Sequence, residues 1–469
     1  MKRFVRVHCT SMVDSTPHAT FVAPAAYHTG DLRHLRRYLA DAQSVSLVGV
    51  SNVGKSALLR DLCQNDAAAP PEEREGDLDC YYVDCNRMLD WTELAFYELV
   101  LRVLADHLRV EEHPLAPVFS QSHEALLQPA GDLQIPLTFD RALTALVEHT
   151  THPVVLVLDE FDAPFTHLAP RVFLNLRALK DRYPRRLAYV TATDRSLARL
   201  RTGEHVDEFT ELFGEDAYYL LPLGPEEAQA FIKDQGQHRH IVLDAADVAF
   251  VLRQAGGHPG LMTIVCRRLA DLGGKPERPS SEAAIVHRQL QDVLRTDASV
   301  RTECDKIWRD LDEEEQDELS GLFQPAGVHN PRAFVELTRK GLVTGSQQEP
   351  QFFAELFRRF VQQMSAARKL PEQGVRIDVE TGEAKIDGRL VETLTSSEYR
   401  LLLLLYGHLN KICDKYQIVE AVWGEDYVDE VYDASIDKLI SRLRHKIEPD
   451  LANPRYLVTV RGRGYKLVG

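Results

Sequence analysis

The chain has 469 residues, 44% of them hydrophobic and 27% charged, the balance of an ordinary globular protein. At roughly 100–200 residues per domain this length accommodates three or four domains, and the formal net charge of −16 argues against nucleic-acid binding over the whole surface. The longest apolar run, Leu401 to Tyr406, is far short of the ~20 residues that span a bilayer, and the basic start lacks the apolar stretch of a signal peptide, so we expect a cytoplasmic protein with no membrane partner.

Residues 1–20 form an N-terminal segment, and from there to about 222 strands and helices alternate. SVSLVGV (44–50) reads as a buried strand and SALLRDLCQ (56–64) as a helix start. YYVDC (81–85), PVVLVLDEF (153–161) and RLAYVTATD (186–194) are further strands, and TELAFYELVLRVLADHL (92–108) has apolar residues at helical spacing. Continuous apolar strands between helices imply a parallel sheet covered on both faces. Residues 109–136, with prolines and histidines, read as an irregular surface excursion. Seven cysteines are scattered, and none has the matched spacing of a zinc site, so they are expected to be reduced, partly buried thiols.

Residues 223–298 read as helical, with two helices broken at GGHPG (256–260). Residues 299–370 give helices, a short hairpin at GLVTG, and a linker at SAARKLPEQG (365–374). From 371 to 469 the pattern is a meander of short strands, then three helices, then the hairpin RYLVTVRGRGYKLV. Thr395 and Glu398 have the spacing of a capping box before the apolar run.

Gly49-x-x-x-x-Gly54-Lys55-Ser56 is a phosphate-binding loop between a strand and a helix, as that motif requires. Backbone groups at Gly49, Asn52, Val53, Gly54 and Ala57 are expected to curl around phosphate oxygens at the positive end of the helix. Lys55 would reach the terminal phosphates, and Ser56 would ligate Mg²⁺. The strand VVLVLDE ends in Asp159, a second expected Mg²⁺ group, and Glu160, a candidate to polarise attacking water. The next strand ends in Thr191, Thr193, Asp194 and Arg195; one of these, with Thr193 foremost, is expected to face the nucleotide, helix capping being the alternative.

On these motifs, together with GGHPGLM, residues 21–365 resemble a STAND-type ATPase, a signalling branch of the AAA+-related P-loop NTPases. The resemblance implies ATP/ADP with Mg²⁺, Pro259 packed near the adenine, and a helical domain and inner winged helix closing over the nucleotide. A histidine in this region, His258, is a further candidate for a phosphate contact. It also implies assembly into a homo-oligomer on activation. The long repeat array that usually serves this family as sensor has no counterpart here, which points to a separate sensor protein.

Between Ala434 and Gly469 eight basic residues face three acidic ones, a cationic patch in an acidic chain. Ile436, Leu439, Ile440, Leu443 and Ile447 share one helix face, leaving Lys438, Ser441, Arg442 and His445 outward. LTSSEYRLLLLL, AVWGEDY, IDKLISRLRHKIEPD and NPRYLVTVRGRGYKL closely resemble the OmpR/PhoB-type winged helix. The resemblance implies duplex DNA as partner, with Lys438, Arg442, Arg444 and Lys446 on the recognition helix and Thr459, Arg461 and Arg463 on the wing. Ala434 and Leu439 depart from the Arg and His frequent in that family. Taken together, the chain reads as an ATP-dependent transcriptional regulator with slow turnover. A DNA-loading AAA+ protein of the origin-recognition or transposition type, and a defence or signalling sensor, are the alternatives.

Overall fold

A computed structural model describes residues 27–64, 77–128, 131–214, 216–272, 280–323, 328–369, 374–377, 383–391, 394–424, 433–451 and 453–468. The N-terminal segment, residues 425–427 of AVWGEDY, positions 378–382 of the meander and 370–373 of the expected linker lie outside the described residues. The chain divides into two compact units, Met1–Val361 and Gln362–Gly469.

The first unit is built on five strands: β1 (Val45–Val48), β2 (Asp79–Asp84), β3 (Val154–Asp159), β4 (Leu187–Thr193) and β5 (Tyr218–Tyr219). They form one sheet in the order β2-β3-β4-β1-β5, and every neighbouring pair is parallel. Every residue of β1, β3 and β4 is buried, because helices pack on the sheet and leave no solvent face for polar alternation.

Helices α1 (Thr29–Ala40), α2 (Lys55–Leu62), α3 (Glu93–Val110), α4 (Ala116–Leu127), α5 (Gln134–His149), α6 (Asp162–His167), α7 (Pro170–Arg182), α8 (Leu197–Leu200) and α9 (Asp207–Thr210) accompany the sheet. The main core joins β2, β3 and β4 to α3, α4, α5 and α7 through Phe96, Tyr97, Phe139, Phe161, Phe173 and Tyr189, among others.

The irregular excursion expected over 109–136 is overturned: α4 is helical, with Phe119 and Leu126 fully buried. Pro117 sits in the first turn of α4, where its missing N–H costs nothing, so it starts the helix rather than breaking it. The reading of uniformly reduced thiols is also corrected, since Cys63 and Cys80 form a disulfide.

After the sheet come α10 (Pro225–His238), α11 (Ala245–Ala255), α12 (Pro259–Asp271), α13 (Ser280–Thr296), α14 (Ala298–Arg309), α15 (Glu313–Gly321) and α16 (Pro331–Arg339). A two-stranded hairpin follows, β6 (Val343–Gly345) with β7 (Pro350–Phe352), and then α17 (Glu355–Lys369). The expected linker therefore begins inside a helix, and the boundary between the two units falls within α17.

In the second unit β8 (Val375–Ile377), β9 (Ala384–Ile386) and β10 (Arg389–Leu390) form an antiparallel meander. The β9–β10 turn is Asp387-Gly388, both with positive φ, a turn whose twist matches the strands it joins. Three helices follow, α18 (Ser396–Gly407), α19 (Lys415–Trp423) and α20 (Asp433–Ile447). A second sheet orders β11 (Ile412–Cys413), β13 (Gly464–Leu467) and β12 (Leu457–Val460). Thr395 caps α18, and its capping box with Glu398 is formed on both sides. All three helices and both sheets share one core around Leu401, Leu405, Ile440, Leu443 and Leu457.

Candidate nucleotide pocket and nucleic-acid face

The first site lies where β1, β3 and β4 end together. Val48 is in register with Thr193, and Leu158 with Thr191, so the P-loop leaves β1 at the same end of the sheet as the acidic end of β3, with β4 between them. Gly54 takes φ +123°, a backbone state that side chains avoid, and a Cβ there would press on the His28 ring at 3.0 Å. Helix α2 then starts at Lys55, leaving the N–H groups of its first turn aimed at the pocket without intrahelical partners. These are the donors that a phosphate needs.

Lys55 is 6% exposed, and its Nζ donates to Gly49 O at 2.5 Å and to Asp194 Oδ1 at 2.6 Å. Burial alone would lower its pKa; Asp194, then Asp310 and Glu160, outweigh that and hold the ammonium charged. Asp159 is buried and accepts from Tyr82 Oη at 2.5 Å and from the Glu160 N–H at 3.0 Å. Glu160 has φ +54°. Its side chain is reached by solvent, yet the walls of the pocket crowd it. That desolvation, with Asp159, Asp194 and Asp162 nearby, pushes its carboxyl up to about 7 against the pull of Lys55. Asp162 accepts from the Asp194 N–H at 3.0 Å, and burial beside Asp194 raises it to about 6.

Groups from beyond the sheet reach the same loop. Asp310, which ends α14, accepts from Ser51 N at 2.6 Å and from Ser51 Oγ at 3.1 Å. Glu303 of α14 accepts from Asn52 Nδ2 with both oxygens at 2.9 Å. His258 is fully buried, and burial takes its pKa down to about 4, so the ring is neutral. Its Nδ1 accepts from the Leu261 N–H, which leaves Nε2–H to donate to Ser51 O at 2.9 Å. Arg195 donates to the carbonyls of Arg309 and Asp310, closing a ring of contacts around the loop. Burial and the charge of Asp194 push Asp310 up to about 7, although Ser51 favours its charged form.

The second site is on α20 and the hairpin β12–β13. Ile436, Leu439, Ile440, Leu443 and Ile447 are buried, while Lys438, Ser441, Arg442 and His445 are exposed. Arg461 and Arg463 are exposed at the hairpin turn. The Tyr465 hydroxyl donates to Asp437 Oδ1 at 2.5 Å and so ties the hairpin to α20.

A family model for the AAA ATPase domain matches residues 29–190, and one for the C-terminal domain of transcriptional regulatory proteins matches residues 390–467. The chain joins an AAA ATPase domain to an OmpR/PhoB-type winged helix. The sensory transduction protein RegX3 of Mycobacterium tuberculosis is 43% identical over 95 residues, 20% of this chain and 40% of that protein. The alkaline phosphatase synthesis transcriptional regulatory protein SphR of Synechococcus elongatus is 38% identical over 95 residues, 20% of this chain and 36% of that one. The chain thus spans about two fifths of the length of the curated relatives it matches. Among solved structures, the Walker-type ATPase of Pyrococcus abyssi is 11% identical with a TM-score of 0.46, over 71% of this chain and 95% of that one. The DNA-binding domain of CpxR from E. coli is 32% identical with a TM-score of 0.18, over 20% of this chain and 91% of that one.

In the AAA domain, Lys55, Glu160 and Asp159 meet in one pocket with the start of α2, which carries Ser56 and Ala57. Two backbone donors expected for phosphate are used elsewhere: Gly49 N–H bonds to Thr193 O at 3.1 Å and Val53 N–H to Val50 O at 3.3 Å. The Thr193 side chain is fully buried and donates to Arg195 O at 2.7 Å, while its neighbour Asp194 reaches Lys55. Pro259 is buried at the first turn of α12, and His258 bonds to the P-loop backbone. In the winged helix three expected DNA contacts already have partners inside the domain. Arg444 donates to Leu457 O at 2.7 and 2.9 Å and to Thr459 Oγ1 at 2.7 Å, and Lys446 pairs with Glu398 at 2.8 Å. Sequence reasoning missed His28, Ser51, Tyr82, Glu303 and Asp310, whose roles depend on tertiary proximity across up to 259 positions. Only Ser51, inside the P-loop, carried a local signal.

Proposed function

We propose that the chain is an ATP-dependent transcriptional regulator: a STAND-type nucleotide switch that controls sequence-specific duplex DNA binding by its C-terminal winged helix. One observation carries the switch. Asp310 and Glu303 grip the P-loop at Ser51 and Asn52, so the segment after the sheet holds the element that a nucleotide must engage. A terminal phosphate entering beside Ser51 brings negative charge against the Asp310 carboxylate, and occupancy of the pocket becomes a force on α14.

The residues present fit the group. Lys55 and the first-turn N–H groups of α2 are phosphate donors, and Ser56 with Asp159 supplies two oxygen ligands, a set that suits Mg²⁺ completed by phosphate and water. Bound ATP with Mg²⁺ would supply the phosphoanhydride bond whose cleavage resets the switch. Lys55 would neutralise phosphate charge, Asp159 would hold the metal, and Glu160, poised near neutrality, would take a proton from the attacking water.

On the DNA side, Lys438 and Arg442 face the major groove, where arginine bonds guanine bidentately. Arg461 and Arg463 reach the backbone or minor groove from the hairpin. We assign the domains as 21–222, 223–298, 299–370 and 371–469. Assembly of several chains, triggered by a separate sensor protein, would join weak DNA modules into one tight binder through effective concentration. The cytoplasm is the expected compartment.

The test is genome-wide DNA binding by the intact protein beside Lys55→Ala and Arg461→Ala. Discrete promoter peaks, lost with Arg461→Ala and redistributed with Lys55→Ala, are expected. Diffuse binding by all three, insensitive to sequence, would refute a promoter regulator.

A further inference from the structure

Cys63 and Cys80 are 17 positions apart and meet where α2 ends, at the opposite end of that helix from Lys55. Cys63 ends α2, the helix whose first turn carries Lys55 and Ser56, and Cys80 lies on β2. Their Cα atoms are 4.8 Å apart, a separation that a disulfide bridges without backbone movement, and the two are joined. Cys80 is buried and Cys63 is half-exposed. An open cavity of about 230 Å³ is lined by both, together with Arg60, Tyr82 and His107.

Side chains alternate along a strand, so Cys80 and Tyr82 share a face of β2. Tyr82 donates to Asp159 at 2.5 Å, and Arg60 of α2 stacks over its ring at 5.1 Å. One strand face therefore carries a thiol and the hydrogen bond that holds the acidic end of β3. One helix carries Lys55 at its start and the other thiol at its end.

We propose that Cys63 and Cys80 are a reversible thiol–disulfide pair through which a low-molecular-weight disulfide sets the nucleotide affinity of the P-loop. The proposal rests on the nucleotide pocket and is independent of the promoter reading. A protein that works on nucleotide inside the cell sits among reduced thiols, where a bridge is transient and sensing rather than structural. Cys63, the accessible partner, loses its proton and attacks one sulfur of R–S–S–R, forming a mixed disulfide and releasing one thiolate. Cys80, deprotonated in turn, attacks the Cys63 sulfur and releases the second. Two protein thiols are oxidised, one small disulfide is reduced to two thiols, and the two protons pass to the released thiolates. Arg60 favours the attacking thiolate and a carboxylate-bearing disulfide in the cavity. Once formed, the bridge fixes the end of α2 to β2 and so preorganises Lys55 against Asp159, which tightens nucleotide binding.

The experiment uses the full chain equilibrated in glutathione buffers of defined disulfide-to-thiol ratio. Bridging is read by alkylation and mass spectrometry of the Cys63–Cys80 peptide, and affinity by a fluorescent ATP analogue with Mg²⁺. Bridging is expected to follow the buffer ratio and to reverse with dithiothreitol. The bridged chain is expected to bind the analogue at least about 5-fold more tightly, and Cys63→Ser and Cys80→Ser to show one affinity in every buffer. If buried Cys80→Ser fails to fold, Cys63→Ser and the wild type across the ratio carry the comparison. A bridge that survives excess dithiothreitol in the native chain, no bridge in any buffer, or equal affinity with and without it would each overturn the proposal. A chain that binds no analogue in either state overturns the nucleotide pocket itself, a result distinct from lost coupling.

Discussion

Three carboxyls in the nucleotide pocket are displaced upward: Glu160 to about 7, Asp162 to about 6 and Asp310 to about 7. For each the leading cause is burial, sharpened by neighbouring carboxylates. In the unfolded chain such groups release their protons near pH 4. Between about pH 4 and 7 the native state therefore binds more protons than the unfolded one, so these groups lose stability as pH rises through that window. His258 acts in the opposite sense. Held neutral down to about 4, it gains stability as pH rises from there toward the ordinary histidine value of about 6.5. Burial raises the Glu303 and Glu93 carboxyls as well, so the raised carboxyls outweigh His258 and leave a net fall in stability from about pH 5 to 7. Asp310→Asn keeps an acceptor for Ser51 and removes one titrating group. Thermal melts of the nucleotide-free chain from pH 5 to 8 should fall less steeply in this variant than in the wild type. An identical slope would mean that Asp310 holds no extra proton in the native state.

At the scale of elements, Gly260 shows why α12 can lie against α14. A Cβ there would come within 2.0 Å of Glu303 Oε1 and 3.1 Å of the Asn52 Cβ. Gly260→Ala should force the Glu303 carboxylate aside and break the Asn52–Glu303 bond, costing about 1–3 kcal/mol as overpacking does. Urea melts should show that loss, while a chain as stable as wild type would refute the wedge. On α20 two neighbouring arginines should part company. Arg444→Ala removes three hydrogen bonds to the hairpin and should destabilise the winged helix by about 1–3 kcal/mol. Arg442→Ala, exposed, should stay within about 0.5 kcal/mol of wild type yet lose DNA affinity. Urea melts and duplex-binding titrations on the same two variants separate these roles.

The same elements show what was legible beforehand. The sheet strands, the P-loop helix, the helix break at GGHPG and the capping box at Thr395 rest on local rules of periodicity, capping and glycine placement, and these appear where expected. Helix α4 was missed because Pro117 and the polar residues hid a sparse apolar face of Phe119 and Leu126. The outward face of α20 followed from helical periodicity, but the inward turn of Arg444 did not. A long side chain chooses between DNA and its own hairpin by where the hairpin lies, which only the fold decides. Asp310 and Glu303 had no local signature for the same reason.

At the scale of the whole molecule, the acidic chain gathers a cationic patch between Ala434 and Gly469, so DNA affinity should depend on a few phosphate contacts. Loss of one contact in Arg461→Ala should reduce the slope of log affinity against log salt by about 1, with a similar loss on every sequence. A reader of base edges such as Arg442 should instead relax specificity at one position. The proposed nucleotide switch then predicts how variants of the first unit act on this surface. Lys55→Ala removes the phosphate ligand, and with it the force that drives Asp310 from Ser51. Asp310→Asn removes the charge that opposes the terminal phosphate. If nucleotide works by releasing that grip, the two changes act in opposite directions on one equilibrium. With ATP and Mg²⁺ present, Asp310→Asn should raise affinity for a target duplex and Lys55→Ala should lower it, each by about 5-fold or more, the usual scale of coupling between sites. Titrations of the full chain in matched salt measure both. Changes of the same sign would mean that the contact between Asp310 and the P-loop supports DNA binding rather than restraining it.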